Sequence, residues 1–174
     1  MTFMKVRTLQ LLLLGAVTLV LTACGRQYSV SVNENVLFDP RARQVQVHFD
    51  DPGLQSCVNV RLRQQEYESV DQLRILSCSY LEIRNLDGIE VLRNLEFLDV
   101  GDNELVHLDA LRRLDRLASV RAPNNPLDDI SGLLALPTLT SAILTGTQSI
   151  PCSQLDQLAE RLGEDLLRPV QCAN

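Results

Sequence analysis

The chain has 174 residues, 45% of them hydrophobic and 22% charged, with a formal net charge of −6. That length suffices to bury the core of one domain. The acidic balance does not suit nucleic acid or an anionic lipid surface as a partner.

Residues 1–23 read as a targeting segment outside the fold. Lys5 and Arg7 precede an apolar run from Leu9 to Leu21. The run is too short for a comfortable bilayer span, and it has the basic start and small-residue exit of a secretory leader. Its end, Leu21-Thr22-Ala23-Cys24, resembles the bacterial lipobox. The resemblance implies a signal peptide of the lipoprotein type, with Cys24 acylated as the first mature residue and the domain anchored to a membrane without spanning it. Gly25 follows the cysteine where Asp would imply retention at the inner membrane, so the resemblance implies an outer-membrane address. Loss of the leader removes Lys5, the only lysine, and Arg7. That leaves 14 Arg against 22 Asp plus Glu, a formal charge of −8.

Residues 24–72 read as a short tether followed by an N-terminal cap. Val30 and Val32, then Val36 and Phe38, alternate around Asn33-Glu34-Asn35, which predicts a β-hairpin. Val45, Val47 and Phe49 alternate again and predict a third strand. Asp51 before Pro52 reads as an N-cap with proline at the first helical position. Leu54, Cys57, Val58 and Leu62 then fall on one helical face, and the helix is placed over the open end of residues 73–158.

Residues 73–158 repeat with a period of 22, in units beginning at Leu73, Leu95, Leu117 and Leu139. The first, fourth, sixth, eleventh, fourteenth, seventeenth and twentieth places are apolar at 27 of 28 sites, the exception being Ser149. Chance at this composition fills about half of them. A fixed period of this kind means a solenoid whose units bury their apolar edges against neighbours. The segments LEFLDVGDNEL (Leu95 to Leu105) and LASVRAPNNPL (Leu117 to Leu127) resemble the leucine-rich repeat, L-x-x-L-x-L-x-x-N-x-L. With an apolar residue every third place afterwards, they resemble the 22-residue repeats of the internalins. The ninth place is Asn103 and Asn125 in the middle units but Leu81 and Thr147 in the outer ones, which predicts less regular bends at the ends. The fold class is thus an α/β solenoid, a short leucine-rich-repeat stack with an N-terminal hairpin and helix and a C-terminal helical cap. The closing helix is predicted from about Ser153, with Leu155, Leu158, Ala159, Leu162 and Leu166 as its apolar stripe. Residues 159–174 complete that cap.

Besides Cys24 there are four cysteines, Cys57, Cys78, Cys152 and Cys172, an even number for an oxidising compartment. Strands in such a stack are about 4.8 Å apart, so the first and fourth units are separated by roughly 14 Å. A disulfide needs Cα atoms within about 7 Å. The pairs are therefore Cys57–Cys78 and Cys152–Cys172. No C-x-x-C spacing exists, and the same separation argues against a shared zinc site.

Convergent catalytic groups are not legible. His48 and His107, the only histidines, fall at an outward strand place and in a bend, and the pairs Asp50-Asp51 and Asp128-Asp129 read as caps or solvated carboxylates. No phosphate-cradling loop or nucleophile elbow occurs, so the reading is a non-enzymatic chain with no cofactor and no metal. Binding is what the fold invites. The outward strand places form two rows, Ile75, Phe97, Ser119 and Ser141, and Ser77, Asp99, Arg121 and Ile143. Tyr80, Asp102, Asn124 and Gly146 border them. Ile75, Phe97, Asp99 and Arg121 are the candidate contacts for another envelope protein. Two readings of this face stay open, since the hairpin covering Phe97 would remove it from the site. The alternative function is a structural envelope component that binds peptidoglycan or another glycan, for which exposed aromatics are few.

Overall fold

The computed structural model describes residues 30–32, 35–38 and 47–172; the leader, Cys24, Gly25 and Val45 lie outside the described residues. Two units result, residues 1–44 and 45–174. In the first, β1 (Val30–Val32) pairs antiparallel with β2 (Asn35–Phe38). Asn35 is paired with Val32 and so belongs to the second strand, where the sequence placed it in the turn.

The second unit opens differently from expectation. Val47 to Phe49 alternate in burial, with Phe49 buried and His48 exposed, but they form no strand. The Gln55 side chain supplies what a neighbouring strand would: Phe49 N–H donates to Gln55 Oε1 (2.8 Å), and Gln55 Nε2 donates to the Val47 carbonyl (3.0 Å). Helix α1 (Pro52–Gln64) comes next, with Pro52 in its first turn and Asp51 as N-cap. Asp51 Oδ1 accepts from Leu54 N–H at 3.0 Å, a bond that satisfies one orphan amide of the first turn. Leu54, Cys57, Val58 and Leu62 are its buried residues, and they lay the helix against β3 (Ile75–Ser77).

Five parallel strands then stack in sequence order: β3, β4 (Phe97–Asp99), β5 (Ser119–Arg121), β6 (Ser141–Ile143) and β7 (Leu166–Leu167). The register aligns Leu76, Leu98, Val120, Ala142 and Leu166 as the inward row. The first four are fully buried, because a parallel stack advancing one unit at a time puts equivalent places side by side. The return path of each unit is compact. It runs through 3-10 turns at Ile89–Val91 and Asp109–Arg113, and then helix α2 (Ser131–Leu134). Their apolar residues Ile89, Leu92, Leu111, Leu114, Leu133 and Leu136 are completely buried. Gly132 is required where α2 meets the previous unit, since a Cβ there would lie 2.1 Å from the Leu108 carbonyl oxygen.

Two features of the last unit depart from the 22-residue pattern. Ser149 is exposed and Ile150 is buried in its stead, while Cys152 is exposed. The chain leaves the repeat path here to enter α3 (Cys152–Leu162). Leu166 is not on that helix. Gly163, at φ 55°, ends it, as glycine does where a helix terminus needs a left-handed residue. Leu166 and Leu167 then return as β7 alongside β6. Cys57–Cys78 and Cys152–Cys172 are the bonded pairs, with Cα atoms 5.6 and 5.5 Å apart.

Candidate functional site

Each unit turns after its strand through a left-handed residue at the eighth place, with Glu82 a second one in the first unit, and in the two middle units the asparagine next to it holds the bend. Asn103 Oδ1 accepts from the Leu81 (3.0 Å) and Ile83 (3.1 Å) amides of the previous unit. Its Nδ2 donates to the carbonyls of Cys78, Val100 and Gly101. Asn125 repeats this one unit later, accepting from Leu105 N–H and donating to Val100, Ala122 and Pro123. Thr147 has a shorter reach and donates to Leu144 O at 2.7 Å. At the first bend Leu81 turns outward, and the Asp51 carboxylate accepts from Arg84 N–H at 2.8 Å. A helix cap thus also holds the segment that follows the first bend, by accepting from the Arg84 and Asn85 amides.

This rigid frame sets out the strand face. The register places Ile75 beside Phe97, then Ser119 and Ser141, and Ser77 beside Asp99, Arg121, Ile143 and Leu167. The four candidate contacts are therefore brought together on two adjacent rows. Their environments differ. Ile75 is 52% exposed, whereas Phe97 is half-buried. Asp99 is largely committed to the fold: Oδ1 accepts from Gly101 N–H (3.0 Å) and Ser79 Oγ (3.1 Å). Arg121 lies with Nε 3.6 Å from Asp99 Oδ2 and its side chain 47% exposed. That is longer than a hydrogen bond, so the guanidinium keeps most of its donors for solvent or a partner. Leu167, 52% exposed, extends the face by one strand beyond the four units. Sequence reasoning missed it because Leu166 and Leu167 read as a helix; the glycine at Gly163 was the available signal. The face therefore has apolar residues at both ends and a polar centre at Asp99 and Arg121.

Elsewhere the described residues offer little chemistry. His48 is exposed beside Asp50 (3.5 Å), and His107 is exposed opposite Asp129. Asp129 has its carboxyl held below the usual carboxylate range, first by the Ser131 amide and then by Gln154. A shallow open depression is lined by Asn124, Asn125, Pro126, Gly146, Gln148 and Ser149. Among the described residues no group of three or more His, Cys, Asp or Glu is placed to hold a metal ion. No helix among them is long and apolar enough to cross a membrane.

No protein-family model matches this chain, and no curated protein sequence does. Solved structures do. An internalin C2 of Listeria monocytogenes superposes with a TM-score of 0.57 at 25% identity, over 70% of this chain and 54% of that one. A second internalin (inlF) of the same species gives 0.49 at 21% identity, over 70% and 43%. The chain spans about half the length of the internalins it matches. The 22-residue spacing of buried residues agrees with the superposition on internalin C2. In fold, the stack from Leu73 to Leu167 is a leucine-rich-repeat solenoid of the internalin kind.

Proposed function

We propose that this chain is a non-enzymatic protein-interaction module of the bacterial envelope, held by an acyl anchor on Cys24 and binding another envelope protein by its strand face. The observation that carries the reading is the face itself. A rigid row of outward side chains juxtaposes apolar Ile75 and Phe97 with an Arg121 whose donors are mostly unspent. Buried aromatic and arginine contacts carry much of the energy of protein interfaces, and a preorganised surface binds with little ordering cost. The apolar leader ending at Cys24 supports the acyl anchor, and Gly25 after it supports an address at the outer membrane.

The test is crosslinking in intact cells and then capture. Phe97→Glu and Arg121→Glu each abolish capture of the partner. Arg112→Glu, in the 3-10 turn on the opposite side, leaves it intact. Equal capture by all three variants would remove the strand face from consideration. Recovery of glycan rather than protein would favour the structural, peptidoglycan-binding alternative. Cys24→Ser moves the chain from the membrane to the soluble fraction; its retention in membranes after a high-salt wash would refute the anchor.

A further inference from the structure

At the eighth place of each unit the backbone passes through the left-handed region: φ is 61° at Tyr80, 56° at Asp102, 54° at Asn124 and 75° at Gly146. Asp, Asn and Gly are the types that tolerate this conformation, whereas a bulky residue there is strained. The fold imposes it on Tyr80 regardless. Tyr80 N–H donates to the Gly101 carbonyl (3.3 Å), and the amides of Leu81 and Ile83 are both held by Asn103 Oδ1. Strain of this kind persists only where the surroundings over-determine the backbone, and it concentrates at functional positions.

No core packing offsets the strain, because Tyr80 is 76% exposed. A residue selected for the fold would be Asn or Asp here, as in the next two units. The Tyr80 N–H bond to Gly101 O seats Tyr80 against the residue before Asp102, and the Asp102 carboxylate, by hydrogen bonding and by charge, holds the phenol above its usual pKa. Asn124 Nδ2 donates to Asp102 Oδ1 at 2.9 Å and fixes the carboxylate in place. Glu82, also exposed, adds a second negative charge two residues on, while the nearby cation Arg84 is engaged by Glu104 at 2.7 Å. This rim of the strand face therefore carries an exposed aromatic ring with uncompensated negative charge, on a chain that is acidic throughout. A cation is the group such a pairing accepts, over the ring face and against the carboxylate.

We propose that Tyr80 and Asp102 form a contact site for a lysine or arginine side chain of the protein that docks on the strand face. The proposal rests on the interaction reading above and adds to it the charge of the partner and two residues outside the strands. It makes an unusual demand: the side chain that binding needs is one that stability disfavours.

Two measurements on the purified full-length chain test it. The first labels the tyrosine rings, of which there are three in the sequence, Tyr28, Tyr67 and Tyr80, and assigns them with Tyr80→Asn. Titration with N-acetyl-arginine amide shifts the Tyr80 ring and the Asp102 amide by NMR, and N-acetyl-glutamate amide does not. Asp102→Asn weakens the arginine response by at least about five-fold, while Tyr80→Phe, which keeps the ring, retains most of it. A Tyr80 ring unmoved by arginine, moved equally by the glutamate compound, or moved only by chitotriose would overturn the proposal. The second measurement is thermal unfolding. Tyr80→Asn raises the Tm by about 2–5 °C through relief of the left-handed strain, and a fall in Tm would mean that the phenol is a structural group and would likewise overturn it. In the capture experiment Tyr80→Asn behaves as Phe97→Glu does. Capture kept by Tyr80→Asn but lost with Phe97→Glu would overturn this contact and leave the strand-face reading standing. Capture kept by both would refute the strand face, and this contact with it.

Discussion

Replacing Asn103 by Ala tests whether the asparagine ladder, and not the leucine core alone, holds the stack together. Asn103 is 7% exposed and makes five hydrogen bonds, of which those with Leu81, Ile83 and Cys78 join it to the previous unit. Not all five count equally. Leu81 is exposed enough for its amide to find water; Val100 O keeps a bond from Asn125 Nδ2, and Gly101 O one from Tyr80 N–H. The Ile83 amide and the Cys78 carbonyl are left without those partners in a buried setting. Each such orphan costs about 1–3 kcal/mol, so the substitution should destabilise the domain by about 2–6 kcal/mol. That is a large part of the total, since domains are stable by about 5–15 kcal/mol. Urea unfolding of the oxidised protein, monitored by far-UV circular dichroism, measures it. The midpoint should fall with the slope unchanged, and hydrogen exchange at Ile83 should accelerate before that of Leu98. Thr147→Ala is the internal control: it removes one bond, to Leu144 O, and should cost about 1 kcal/mol. Equal losses for Asn103→Ala and Thr147→Ala would mean that the number of orphaned groups does not set the cost, and the ladder would not be what joins the units.

Other substitutions probe separate joints of the same frame. Gly146→Ala should destabilise by about 1–3 kcal/mol: it forces an alanine to φ 75° and brings a Cβ within 1.9 Å of Asn124 Oδ1. Its urea midpoint, unlike that of a Gly→Ala change at relaxed φ, should fall. Asp51→Ala removes both the α1 N-cap and the bond to Arg84 N–H, and should cost about 2–3 kcal/mol; a loss below about 0.5 kcal/mol would mean water replaces the carboxylate. Removing Cys152–Cys172 by double Ser substitution opens a loop of sequence separation 20 and should cost about 3 kcal/mol. Exchange at the Leu144 amide, bonded to Leu167 O, should rise first, and global exchange without that local step would contradict a fraying end. Asp129, with its folded pKa depressed by the Ser131 amide and Gln154, stabilises the fold above its unfolded pKa of about 3.9. That contribution is lost as pH falls through the depressed folded value, so the stability gap to Asp129→Asn should shrink on acidification from about pH 5; a pH-independent gap would count against it.

The solenoid was legible in the amino-acid sequence because its core is nearly one-dimensional. A leucine at the first place of each unit meets the leucine at the same place of the next, so period alone tells which side chains face inward. The same regularity told which residues share the outer face, Ile75 with Phe97 and Asp99 with Arg121, and the stack spacing selected the cysteine pairs. Tyr80, Asp102, Asn124 and Gly146 were legible only as a border of that face, and the structure is what placed each of them at positive φ. Periodicity failed where the period ends. Ile150 replaces Ser149 in the core because the chain departs there into α3, and Leu166 joins the sheet because Gly163 stops the helix one turn early. Asp51 was readable as a cap but not as a support for the segment at Arg84, a partner 33 residues away. Nor did sequence decide how exposed an outward residue is. Ile75 and Phe97 occupy equivalent places on neighbouring strands, yet one is mostly open and the other half-buried. Burial toward the core is dictated by the residue's own place in the repeat, whereas exposure on the face depends also on what flanks the strand: β3 is the edge of the sheet and β4 lies between β3 and β5, an arrangement only tertiary structure sets.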